Sequence, residues 1–264
     1  MTIAPTLLVL CGAALPTAIV ASTARGYVRA AAGRRARRDA CPFEDDDDEQ
    51  RPLAREVVDV LRKSVALVRA LGGTLARPPR RWSAGAVRPG RGPIVLLLPD
   101  RAAFAAGMTP LGERLERDLD ASVHVESRGA GRDTASRAGR AADALAALAS
   151  AARGRPVLLV GHGAGGLVAR RAAAVLRAPG LRVVTLATPH GDTGKRDPLV
   201  DRIDFVNVYS LHDAVVDPPE RAYLPGAYNV ALRDEGHFGL LLGTRPHTIV
   251  LESLADLAPH AAVS

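Results

Sequence analysis

Short, nearly unbroken apolar runs recur along the middle of the chain: Pro93 to Pro99, Val157 to Val160, Leu181 to Ala187 and Phe205 to Ser210, with weaker ones at Ser122 to Glu126 and Ala227 to Ala231. Continuous rather than alternating apolar residues suit strands covered on both faces, as in a parallel sheet. The intervening segments follow a helical period instead. Helices are predicted over Leu111 to Leu119, from Gly165 onward, over Pro246 to Leu257, and over Arg132 to Ala152 with Ala142, Leu145, Leu148 and Ala149 on one face. Strands alternating with helices imply an α/β fold, a mainly parallel sheet flanked by helices on both faces.

Upstream the pattern changes. Thr2 to Ala24 carries no charge and is long enough to cross a bilayer, which predicts an apolar helix outside the domain. Arg25, Arg29, Arg34, Arg35, Arg37 and Arg38 follow, and such a cluster stays on the cytoplasmic side. A membrane-anchored protein with a cytoplasmic domain is the expectation; the alternative is secretion after cleavage near Ser22 to Ala24. Residues 25–51 run from basic to acidic, ending in Glu44-Asp-Asp-Asp-Asp-Glu49, a self-repelling block expected to be a solvated linker. Residues 52–92 are read as a helix over Pro52 to Leu71, stopped at Gly72-Gly73, and a connecting loop. The α/β domain is assigned to residues 93–264.

Composition narrows the function. The net charge is +7, but all basic residues other than Lys63 and Lys195 are arginines, scattered among Asp and Glu. With 3% aromatics and no RNA-binding signature, nucleic acid is not an expected partner. Cys11 and Cys41 make no disulfide framework. His124, His212, His247 and His260 show no metal-ligand spacing, and no nucleotide fingerprint is present, so neither metal nor cofactor is expected.

Chemistry concentrates at Val157-Leu-Leu-Val-Gly-His-Gly-Ala-Gly-Gly-Leu-Val-Ala-Arg170. An apolar strand, a glycine-dense turn and a helix form the context of the G-x-S-x-G elbow, which exposes a hydroxyl above a sheet. The flanking glycines are Gly161 and Gly165, and the middle residue is Gly163. The decapeptide Gly161 to Arg170 resembles the G-H-S-x-G-G-L-V-A-R of α/β-hydrolase lipases and esterases, matching everywhere except the nucleophile. Ala187-Thr-Pro-His-Gly191 resembles the lipase G-T-P-H-x-G turn. Ser210-Leu-His-Asp-Ala-Val-Val-Asp-Pro218 resembles S-x-x-D-x-x-V-x-P, and Gly236-His-Phe-Gly-Leu-Leu241 resembles G-H-x-x-L.

The resemblance implies an α/β-hydrolase fold, with Asp213 as the acid, His237 as the base and Gly163 at the vacated nucleophile position. Asp217 is the rival partner for His237. Pro99 and Asp100, with Ala164 behind the elbow, form the oxyanion region, where Leu98-Pro99 stands in place of the family's His-Gly. Proline has no N–H, and an anionic Asp100 opposes a developing oxyanion. Without a hydroxyl at 163, nothing carries an acyl group. His162 is expected to pack behind the elbow, His190 to hold loops, and Asp192 to Arg202 to be a short lid or a loop. The leading expectation is a pseudo-hydrolase whose cleft binds an acyl or lipid-like ligand or whose surface binds an unidentified protein. One alternative is an active ester hydrolase in which His237, with Asp213 or Asp100, activates water. Another is a structural membrane-associated protein with a filled cleft.

Overall fold

In a computed structural model the fold is described for residues 87–100, 105, 107–126, 133–176, 181–191, 196–213, 215–233 and 235–255. The expectations for residues 1–24, 25–51 and 52–86 lie outside the described residues. Among those described, no helix is long and apolar enough to cross a membrane.

Six strands form one parallel sheet: β1 (Ile94–Leu98), β2 (Ser122–Val125), β3 (Val157–His162), β4 (Leu181–Leu186), β5 (Asp204–Ser210) and β6 (Tyr228–Leu232), in the order β2-β1-β3-β4-β5-β6. Every side chain of β1 and β3 is buried. That explains why these two strands read as unbroken apolar runs: successive residues face opposite layers, and both layers are covered.

The layers separate cleanly. Ile94, Leu96 and Leu98 point to a core shared with α2 (Thr134–Ala151) and α3 (Ala164–Leu176), through Ala138, Ala141, Leu145, Val168 and Ala172. Val95 and Leu97 point the other way, to α1 (Thr109–Leu119), α4 (Gly239–Leu242) and α5 (Thr244–Ala255), through Leu111, Leu115, Leu240 and Val250. Each fully buried Leu contributes about 1.5–3 kcal/mol. Alanines along α2 and α3 let those helices lie close together.

Helix boundaries follow local chemistry. Asp133 caps α2, its Oδ1 accepting the N–H groups of Ala135 and Ser136 at 2.9 Å each, so the helix starts at Thr134 rather than at Arg132. Two short elements carried no period and were not expected: the 3-10 turn Pro219–Ala222 and α4. Arg114 of α1 donates to Thr244 O and Thr248 Oγ1 of α5, tying the second layer together.

Candidate functional site

The C-terminal ends of β3, β4 and β5 converge on the elbow. Gly163 sits between β3 and α3 with φ of +55°, a left-handed conformation that glycine adopts without a steric penalty. Its N–H donates to Leu186 O at 2.9 Å, and its carbonyl accepts from Gly166 N at 3.1 Å. The glycines around it are dictated by approach distance. A Cβ on Gly161 would lie 2.5 Å from Gly166 Cα; one on Gly165 would overlap Leu98 O, and one on Gly166 the Thr188 hydroxyl. Strand, helix and the loop after β1 are therefore in backbone contact.

Asp100 occupies the space that a side chain at position 163 would take. A Cβ built on Gly163 would lie 2.9 Å from Asp100 Cγ and 3.1 Å from its Oδ1. That same Oδ1 accepts the N–H of Ala164 at 2.9 Å. In an elbow, the N–H of the residue after the nucleophile is the donor that meets the oxyanion. Here an internal anion already holds it.

Arg137, from the first turn of α2, fixes the loop beneath: Nη1 donates to Asp100 O at 2.7 Å and Nη2 to Pro99 O at 2.6 Å. Burial lowers the Arg137 guanidinium below its ordinary value, and the Asp100 charge works against that shift. Pro99 thus enters the site through its carbonyl, which is one of the atoms facing Gly165.

Asp213 and His237 are brought together, as the sequence order of the motifs implies. His237 Nδ1 donates to Asp213 Oδ2 at 2.8 Å, and both residues are buried. Asp213 Oδ1 accepts the N–H groups of Val215 at 2.7 Å and Val216 at 3.0 Å, a local turn that aims the other oxygen at the imidazole. The carboxylate on His237 is therefore that of Asp213, not Asp217.

His162 is fully buried and works through its neighbour's backbone. Its Nε2 donates to His237 O at 3.0 Å, and the two rings meet edge to face at 4.6 Å. Burial, then the nearby His237, lowers its pKa to about 4, so it is neutral at pH 7. His190 lies in a second network: Nε2 is 3.2 Å from Asn207 Oδ1 and 3.3 Å from Thr185 Oγ1, while Asn207 Nδ2 donates to Ala222 O and Asn229 Oδ1. Burial, then Arg170, brings it too to about 4. His190 thus ties β4, β5 and the 3-10 turn together.

Of residues 192–202, those from 196 on are described, and Asp197 pairs with Arg170 of α3. Neither the Arg137 clamp nor the Asn207 and Asn229 network is foreseen by sequence pattern; a polar Asn207 inside the apolar β5 run is the signal that points to the latter. Among the described residues no cluster of three His, Cys, Asp or Glu is arranged for a metal.

No family model matches this chain, and no curated protein does. Solved structures do. Aspergillus fumigatus lipase B aligns with a TM-score of 0.50 at 14% identity, over 69% of this chain and 56% of that one. A predicted CIB-like hydrolase from Thermoplasma acidophilum gives 0.49 at 16% identity, over 65% and 89%. An α/β-hydrolase enzyme from the metagenome of Mar Chica lagoon sediments gives 0.49 at 14%, over 63% and 92%. The chain spans little more than half of the Aspergillus lipase. At 14% identity the likeness to the lipase speaks for the fold alone, a parallel sheet with helices on both faces.

Proposed function

We propose that this α/β-hydrolase-type domain does not carry out serine-type ester hydrolysis and keeps its cleft for binding an acyl or lipid-like ligand or a protein partner. The observation that carries this reading is Asp100 Oδ1 on the Ala164 N–H, directly over Gly163. An acyl carbonyl entering there meets neither a hydroxyl to attack it nor a free donor to take its negative charge. Asp100 is half-buried, so the vacated space is filled by charge rather than by apolar packing. This favours a reachable polar cleft over a purely structural core.

The intact pair of Asp213 and His237 supports a second reading, in which the imidazole activates water without a covalent intermediate. The two readings separate in one experiment: purified full-length protein assayed against short- and long-chain p-nitrophenyl esters, beside His237→Ala and Asp100→Asn. We expect no turnover above the His237→Ala background. Saturable turnover that disappears in His237→Ala refutes the binding reading, and a rate altered by Asp100→Asn assigns that carboxylate to the water. Attachment to a membrane through residues 2–24 belongs to the same proposal. It predicts that the full chain resists carbonate extraction from membranes while a chain lacking residues 2–24 does not.

A further inference from the structure

An open cavity of about 810 Å³ lies at the end of the sheet opposite Gly163, where residues 87–91 lead into β1 and residues 151–156 lead from α2 into β3. It gathers four guanidinium groups, from Arg88, Arg91, Arg153 and Arg155. Among the described residues only one of them has an anionic partner: Arg88 pairs with Asp120 at 2.9 Å. Arg155 spends Nε on Gly92 O at 2.7 Å and Nη1 on Arg88 O at 2.8 Å, which leaves Nη2 buried without a partner among the described residues. Arg91 and Arg153 are exposed, with no ion pair among the described residues. Burial lowers the Arg155 guanidinium; Asp120 opposes that shift and Arg88 adds to it.

We propose that this cavity is the docking site for the chain's own acidic run, Glu44 to Glu49. The run is the only block of six consecutive carboxylates in the sequence, and guanidinium groups take carboxylates in paired, fork-like hydrogen bonds. It is also tethered to the cavity. Val87 is a wall residue, and only residues 50–86 separate it in the sequence from the acidic run. Covalent connection makes docking an intramolecular event, with no loss of a free partner's translational freedom.

The full chain supplies its own probe, because Cys41 lies three residues before Glu44. With Cys11→Ser and Ala151→Cys, the only thiols are Cys41 and one on the cavity wall. A short bismaleimide is expected to join them within one chain about tenfold faster than it joins Cys41 to a cysteine at Val215, at the far end of the sheet. Neutralising the run, with Glu44 and Glu49 to Gln and Asp45 to Asp48 to Asn, is expected to remove that advantage; so is Arg91→Ala with Arg153→Ala, or high salt. Equal rates at the two positions, an advantage that survives neutralisation, or cross-links formed only between chains would overturn the proposal.

Discussion

Placing a serine at position 163 requires two adjustments, each readable from the geometry. A residue with a side chain at φ of +55° costs about 1–2 kcal/mol. Its Cβ would lie 2.9 Å from Asp100 Cγ, so the carboxylate must leave, and with it the hydrogen bond to Ala164. A hydrogen bond to a charged group contributes about 1.5–3 kcal/mol, and Asp100 is half-exposed, so the lower end applies. Gly163→Ser is thus expected to cost roughly 3 kcal/mol, a fall of about 6–12 °C in Tm for a domain of this size. It is also expected to gain little or no esterase activity, since a displaced carboxylate beside the oxyanion position costs catalysis on the order of the 100- to 1,000-fold seen for a lost donor. Adding Asp100→Gly removes both the overlap and the anion. The double variant should then recover about 1–2 kcal/mol relative to additivity, and its serine should react with a fluorophosphonate, read as a mass increase, where the single variant's does not. Equal labelling of the single and double variants, or strict additivity in the melts, would show that Asp100 does not occupy this space.

Acid should loosen the fold through His162 and His190. Both have folded pKa values near 4, below the unfolded value of about 6.5, so the unfolded chain binds more protons between those limits. The stability they contribute is complete above about pH 6.5 and is lost as pH falls toward 4, about 2–3 kcal/mol per group by pH 4.5. Urea unfolding at the two ends of this window should show a smaller drop in His190→Gln than in the parent, and an equal drop would contradict the burial argument. Arg137→Ala should cost about 2–3 kcal/mol and speed hydrogen exchange at the Ala164 amide, because the loop carrying Asp100 loses two charge-assisted bonds; lysine, lacking the fork, should not restore it. Gly166→Ala meets the Thr188 hydroxyl and should be partly rescued by Thr188→Ala, whereas Gly165→Ala meets Leu98 O and no side-chain change should relieve it. Melting temperatures of the four proteins check that contrast.

What could be read from the sequence tracks what is local. The runs in β1 and β3 announced strands because both of their faces are covered, and the βαβ order followed from them. The elbow was legible because only glycine tolerates the backbone contact at Gly161 and Gly165, while Gly163 and Gly166 leave room for the side chains of Asp100 and Thr188. The pairing of Asp213 with His237 came from motif order, and the turn made by Val215 and Val216 shows why that aspartate faces the ring. By contrast, Arg137 sits at an ordinary helical position, and nothing in its neighbours marks it as a clamp on carbonyls far back in the chain. Asp100 was legible as a charge near the oxyanion region, but its seat on Ala164 depends on three elements meeting. The 3-10 turn at Pro219–Ala222 and the four residues of α4 are too short to show any period.

The fit of Asp100 against Gly163 also gives the site a direction in time. The order in which the two positions are altered therefore matters: a side chain introduced at 163 meets the carboxylate, whereas the same change made after position 100 is cleared no longer does. Neither position can be redesigned without reference to the other.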